Sequence, residues 1–154
     1  MSTKSDLIEG IRAQLRARLE LLSHAAREAH AAATDVGSKA ESKYDTRSLE
    51  ESYLAKGQAR NVEETADQVR IFESWSPPDF DIAAPIDAGA LVEVDLNGDT
   101  LFYLLAPAAG GMTVEYLGSE LTVLTPESPL YQKLRGLSTG DSLDSPPLLV
   151  TEVS

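Results

Sequence analysis

The sequence predicts an α+β protein: an N-terminal antiparallel helical hairpin of coiled-coil type, followed by a small C-terminal antiparallel sheet domain with one short helix. Three observations carry this. Up to about residue 75, apolar residues recur every three or four positions. The stretch from Trp75-Ser-Pro-Pro78 through Pro85 then breaks the pattern. Beyond it the apolar period falls to two. The expected bounds are 1–75 for the hairpin, 76–88 for the linker and 89–154 for the sheet domain.

The first helix is expected from Ser5 to about Thr34, where Ile8, Ile11, Leu15, Leu19, Leu22, Ala26, Ala29 and Ala33 form one stripe. Arg12, Arg16, Arg18, Glu20, Arg27 and Glu28 occupy the opposite face. Gly37 interrupts the pattern as a helix terminator would. A second helix starts at Thr46-Arg-Ser-Leu-Glu50, a capping residue followed by acidic residues. Its stripe is Leu49, Tyr53, Ala59, Val62, Ala66, Val69 and Phe72. Two helices of this length joined by a short connection pack antiparallel.

In the second part, Leu91, Val92, Val94 and Leu96 run into Asn97-Gly98, a strong two-residue hairpin signal. Thr100–Leu105 is the expected partner strand, and Thr113–Tyr116 and Leu121–Leu124 read as further strands. Ser128-Pro129 starts a short helix through Leu134, because serine caps and proline fits the first turn. Gly140-Asp141 reads as a turn and Leu148–Val150 as a last strand.

Composition narrows the function classes. The 154 residues are 42% apolar and suffice for one large or two small folding units. The net charge is −12, distributed as −2 over residues 1–75 and −10 over 76–154, where Lys133 and Arg135 are the sole cations. So acidic a surface repels phosphate backbones, and no autonomous DNA binding is expected. It suits a basic protein surface, or solubility alone. The chain has no cysteine, which excludes disulfides, thiolate zinc sites and a cysteine nucleophile. No apolar run approaches a membrane span, and no leader-like run begins the sequence. No membrane association and a cytoplasmic location are the expectation.

Residues for autonomous catalysis are sparse, and the protein is not expected to be an enzyme. His24 and His30 stand six apart on one helix, on substantially different sides, and read as ordinary helix-surface residues. No G-x-S-x-G elbow or phosphate-cradling glycine loop occurs, and Ala108-Ala-Gly-Gly111 reads as a turn. Asp35, Glu41 and Asp45 cluster where the hairpin must reverse. Carboxylates there can ligate Mg²⁺, or, with Lys39 and Lys43 between them, can be caps and solvated charges.

Ser128-Pro-Leu-Tyr-Gln-Lys-Leu134, then Gly136 and Gly140-Asp141, resembles the C-terminal signature of the bacterial Gre transcription-factor family. Glu41-Ser-Lys-Tyr44, followed by the helix from Arg47 to Gln58, is similar to that family's tip passage and second helix. The order of the parts agrees over most of the chain. The resemblance implies a C-terminal domain of FKBP-like type that docks on RNA polymerase through Ser128, Pro129, Leu130, Gly140 and Asp141. The hairpin then enters the polymerase secondary channel, near the nascent RNA. Tip carboxylates, here Asp35, Glu41 and Asp45, help hold a Mg²⁺ ion of the polymerase active centre and promote transcript cleavage. No intrinsic cofactor is implied. Cleavage-competent members carry an Asp and a Glu three residues apart; an ungapped fit on Tyr44 puts Gly37 and Ala40 there, and a shift by one puts Ser38 and Glu41 there. Polymerase binding is thus the stronger expectation.

Two other classes compete. The Ile8-to-Leu22 stripe could serve a non-catalytic helical interaction or dimerisation module unrelated to polymerase. A peptidyl-prolyl isomerase is suggested by the domain type alone, and fold does not confer activity.

Overall fold

The computed structural model describes residues 3–34 and 46–154, with side-chain surroundings at all of these except 30, 32–34 and 46–55. Two long helices come first, α1 (Lys4–Thr34) and α2 (Thr46–Ser74). Four strands follow, β1 (Leu91–Leu96), β2 (Asp99–Leu105), β3 (Thr113–Tyr116) and β4 (Ser119–Leu124). A short helix α3 (Pro129–Leu134) and strands β5 (Ser142–Asp144) and β6 (Pro147–Val153) complete the chain. The fold class is the expected one, a long helix pair with a sheet domain carrying one short helix. Two compact units result, Gly10–Glu73 and a second made of Met1–Glu9 with Ser74–Ser154. No helix among the described residues is long and apolar enough to cross a membrane.

In the helical unit, the α1 stripe faces inward as its spacing requires. Ile11 and Leu15 are fully buried, Leu19, Leu22, Ala26 and Ala29 half-buried, and the arginines between them mostly exposed. Arg12 Nε donates to the Phe72 carbonyl at 2.7 Å, and the Arg16 guanidinium pairs with Glu73. These contacts join the start of α1 to the end of α2, so the helices run antiparallel. The Arg16 hydrogen bond holds the Glu73 carboxyl below the usual range. The α2 seam differs from the expected one. Ala59 is exposed, while Thr65 is buried and Gln58 half-buried, giving a seam at 58, 62, 65, 69 and 72. That alternation of fours and threes is the spacing of a two-helix seam, and polar Gln58 and Thr65 hide it from a count of apolar residues.

The sheet unit is built on β1. Its order is β3-β4-β2-β1-β6-β5, and β1 pairs antiparallel with both β2 and β6. Asn97 and Gly98 connect β1 to β2 with φ of 54° and 91°, the doubly left-handed turn that matches strand twist. Gly98 N also donates to Asp95 Oδ1 at 2.8 Å. Four pairings are antiparallel; the fifth, β2 with β4, is parallel, so the sheet is mixed rather than wholly antiparallel. The chain leaves β2, passes to the edge as β3 and returns as β4 between the two. Period-two patterning specifies faces, not strand direction, and cannot distinguish these cases. Strand β5 was not expected, and β6 extends beyond the expected Leu148–Val150.

Both faces of this sheet bury apolar residues, Leu104, Leu121 and Val123 on one and the cluster around α3 on the other. Val92 and Val94 of β1, Leu105, Leu148 and Val150 pack with Tyr131 and Leu134 of α3. The linker is lashed to the end of α3: Gly136 N donates to the Ile86 carbonyl and Ile86 N to the Leu137 carbonyl, both at 2.7 Å. Gly89 has φ +90°, and a Cβ there would lie 3.0 Å from Pro78 Cδ and 3.1 Å from Pro77 Cβ. Glycine is thus required where the linker prolines cross the start of β1.

Two outcomes are expected in urea unfolding. Leu134→Ala removes a fully buried side chain and costs about 2–5 kcal/mol. Gly89→Ala, strained in backbone and crowded by proline, costs about 1–3 kcal/mol; an unchanged midpoint would contradict the close approach.

Candidate functional site

Three places are candidates for a functional site. The first, with Asp35, Glu41 and Asp45, lies outside the described residues, as does Tyr44; Tyr53 is described only in its backbone. Among the described residues no group of three or more His, Asp or Glu could hold a metal ion. His24 is exposed, with Nε2 3.2 Å from Glu28 Oε1, one helical turn away.

The second place is the segment from Thr125 to Asp141, which holds Ser128, Pro129, Leu130, Gly140 and Asp141. Ser128 takes an extended backbone and its hydroxyl accepts from Tyr131 N at 3.5 Å, so it caps α3. Pro129 follows at the first helical position, exposed. Leu130 is half-buried against the core, while Tyr131 and Leu134 are buried. Burial raises the Tyr131 hydroxyl above its ordinary pKa. Gly136 and Gly140 sit at φ +92° and +94°, so both turns use glycine's freedom. Asp141 closes the second turn: its Oδ2 accepts from Ser138 N at 2.8 Å, and its carbonyl accepts from Val150 N at 2.8 Å. The five residues thus belong to one hydrogen-bonded segment, with Ser128 and Leu130 shaping it and Pro129, Gly140 and Asp141 exposed. Lys133 Nζ donates to the Ser145 carbonyl at 2.8 Å, and Arg135 Nε meets Asp87 Oδ1 at 3.0 Å. The only cations of the second half are therefore anchored beside the segment.

The third place was not foreseen. A cavity of about 440 Å³ opens on the sheet face opposite α3, lined by Lys4, Asp79, Phe80, Glu93, Phe102 and Tyr116 among others. Lys4 is only 9% exposed. Its ammonium donates to the Pro78 carbonyl at 2.7 Å and the Ser154 carbonyl at 2.9 Å, and lies 4.9 Å from the centre of the Phe80 ring. Burial lowers its pKa from 10.5 to about 8, against the opposing pull of Asp79. Phe102 and Tyr116 meet edge to face, centroids 5.0 Å apart. Sequence periodicity marked Glu93 and Phe102 only as strand residues. What could have drawn attention is a lysine and an acidic strand position that no local motif uses.

A long helix pair followed by a mixed-sheet domain defines the structural class. No protein-family model and no curated protein matches the chain. Among solved structures it is similar to GreA factor homolog 1 (Gfh1) of Thermus thermophilus, 22% identical over 93% of this chain and 94% of that one, with a TM-score of 0.36. A structure described as the transcription factor Gfh1 is 21% identical over 92% of each chain, TM-score 0.38. Gfh1 of Thermus aquaticus is 18% identical over 92% of each, TM-score 0.36.

Lys4 gives a pH dependence whose sign is fixed. A lysine depressed in the folded state holds fewer protons there than in the unfolded chain between pH about 8 and 10.5, so unfolding free energy rises with pH across that window, by about 1.4 kcal/mol per unit of depression. Half-buried Tyr103 and buried Tyr131, whose pKa values are raised by burial, oppose the trend above about pH 10, where the unfolded chain loses tyrosine protons first. Denaturant midpoints should therefore climb from pH 8 to 10, and Lys4→Met should flatten that climb. A parallel climb in the variant would acquit Lys4.

Proposed function

We propose that this protein binds RNA polymerase as a transcription elongation regulator of the Gre type, an accessory factor rather than an enzyme. The observation that carries this is the Ser128–Asp141 segment. Residues that resemble the family's C-terminal signature also form one local device, a capped helix followed by two glycine turns, with Pro129 and Asp141 left at the surface. A surface motif held this rigidly presents a defined contact with little ordering cost on binding.

The helix pair supplies the other half of the reading. Helices of 31 and 29 residues each extend about 45 Å at 1.5 Å per residue, enough to reach deep into a channel of a larger enzyme. In this proposal the segment between the two helices, which carries Asp35, Glu41 and Asp45, enters the polymerase secondary channel, close to the nascent RNA and to the polymerase's Mg²⁺. Binding does not depend on those carboxylates, and cleavage is a separate outcome. A cytoplasmic location follows from the partner.

Gel filtration with purified core polymerase, and competition with a known secondary-channel factor, test binding directly. Pro129→Ala together with Asp141→Ala should weaken association about tenfold, the loss of roughly 1.4 kcal/mol of contact. Failure of the unaltered protein to co-elute or compete would refute the proposal. Cleavage of backtracked transcripts is assayed in parallel with Glu41→Ala, Asp35→Ala and Asp45→Ala, which should leave binding intact and remove any cleavage.

A further inference from the structure

The cavity on the sheet face opposite α3 combines features that cost stability, and they converge on one chemistry. Glu93 and Glu152 are cross-strand partners in the β1–β6 pairing, next to a register shift that leaves Thr151 the extra residue, and both line the cavity. Like charges directly opposite one another destabilise a sheet. Glu93 takes a hydrogen bond from the Thr151 hydroxyl at 3.0 Å, but no cation among the described residues pairs with either glutamate. Asp79 adds a third carboxylate to the lining. These carboxylates do not come together as a metal site would, so a spread-out cation fits them better than a compact ion. Tyr116, half-buried and set edge to face on the buried Phe102, supplies ring surface against which a planar cation packs.

The rim adds a second, separate oddity. Leu117 forms the turn between β3 and β4 with φ +51° and is 67% exposed. A bulky side chain in the left-handed region is strained, and glycine or asparagine would serve the turn better. An exposed apolar side chain at that position makes sense as a contact.

Lys4 separates a peptide from a simple polycation. Two of its three ammonium donors are taken by main-chain carbonyls, and the third has no acceptor among the described residues. A peptide brings a carbonyl for that donor; a polyamine brings none.

We propose that this cavity is a docking site for a protein segment bearing an arginine, whose guanidinium meets Glu93 and Glu152 beside the Tyr116 ring. Lys4 takes a main-chain carbonyl of the segment, and Leu117 covers a neighbouring apolar side chain. Arginine is favoured over lysine because its planar, multi-donor fork can serve carboxylates on adjacent strands at once. The proposal does not rest on polymerase binding, since none of these residues lies in the Thr125–Asp141 segment.

The test is titration of the full chain with acetyl-Gly-Arg-Gly-amide, followed through the amide resonances of Glu93, Phe102, Tyr116 and Glu152. Saturable shifts at these residues are expected. The isosteric citrulline peptide, which lacks the charge, should bind about tenfold more weakly. Glu152→Gln should abolish the arginine preference and yet raise the melting midpoint, because a repulsive cross-strand pair is relieved; Leu117→Asn should likewise raise the midpoint, and should weaken acetyl-Leu-Arg-Leu-amide but not the glycine-flanked peptide. Equal binding of arginine and citrulline peptides, tighter binding of spermidine than of the arginine peptide at these residues, or a lowered midpoint in Glu152→Gln would each overturn the proposal.

Discussion

Strand β1 is the constraint on which the sheet unit depends. It is hydrogen-bonded along both edges, to β2 and to β6, so it cannot slip by one residue without breaking two ladders. Period two then assigns its side chains without freedom: Val92 and Val94 point into the core, Leu91 and Glu93 to the other face. The core face receives Tyr131 and Leu134, which fixes α3 and with it the Ser128–Asp141 surface. The opposite face receives Lys4 and the segment around Pro78 and Phe80, which encloses the cavity. One strand thus holds the two candidate surfaces on opposite sides of a single layer.

Those two faces follow different energetic rules. On the core face the polar groups that matter are paired: Ser128 caps, Asp141 closes its turn, and the Ile86 and Gly136 amides find carbonyls. On the cavity face a lysine is buried, two glutamates oppose each other, and a leucine takes a glycine-like turn. Violations of local rules concentrated in one place mark where a protein trades stability for contact. The same contrast runs through the helical unit more mildly, where Gln58 and Thr65 occupy seam positions that apolar residues would fill more favourably.

Much of the architecture was legible because its causes are local. The α1 stripe, the Asn97-Gly98 turn, the Ser128-Pro129 helix start and the Gly140-Asp141 turn each follow from a few neighbouring residues. Legibility failed where a polar residue held a packing position. Thr65 is buried and Ala59 exposed because the partner helix sets the seam, and small residues fit either place. It failed again at β2 and β4, whose parallel pairing depends on the path of the chain between them.

By itself the sequence determined the periodicities, the caps, the turns and the uneven charge, since each is a property of residues within a few positions of one another. The tertiary structure alone decided which distant residues meet. Glu93 faces Glu152, and Lys4 reaches the carbonyls of Pro78 and Ser154, only because register along β1 and β6 brings remote parts of the chain together. Strand register and chain path are cooperative properties of the whole sheet, and no local pattern encodes them.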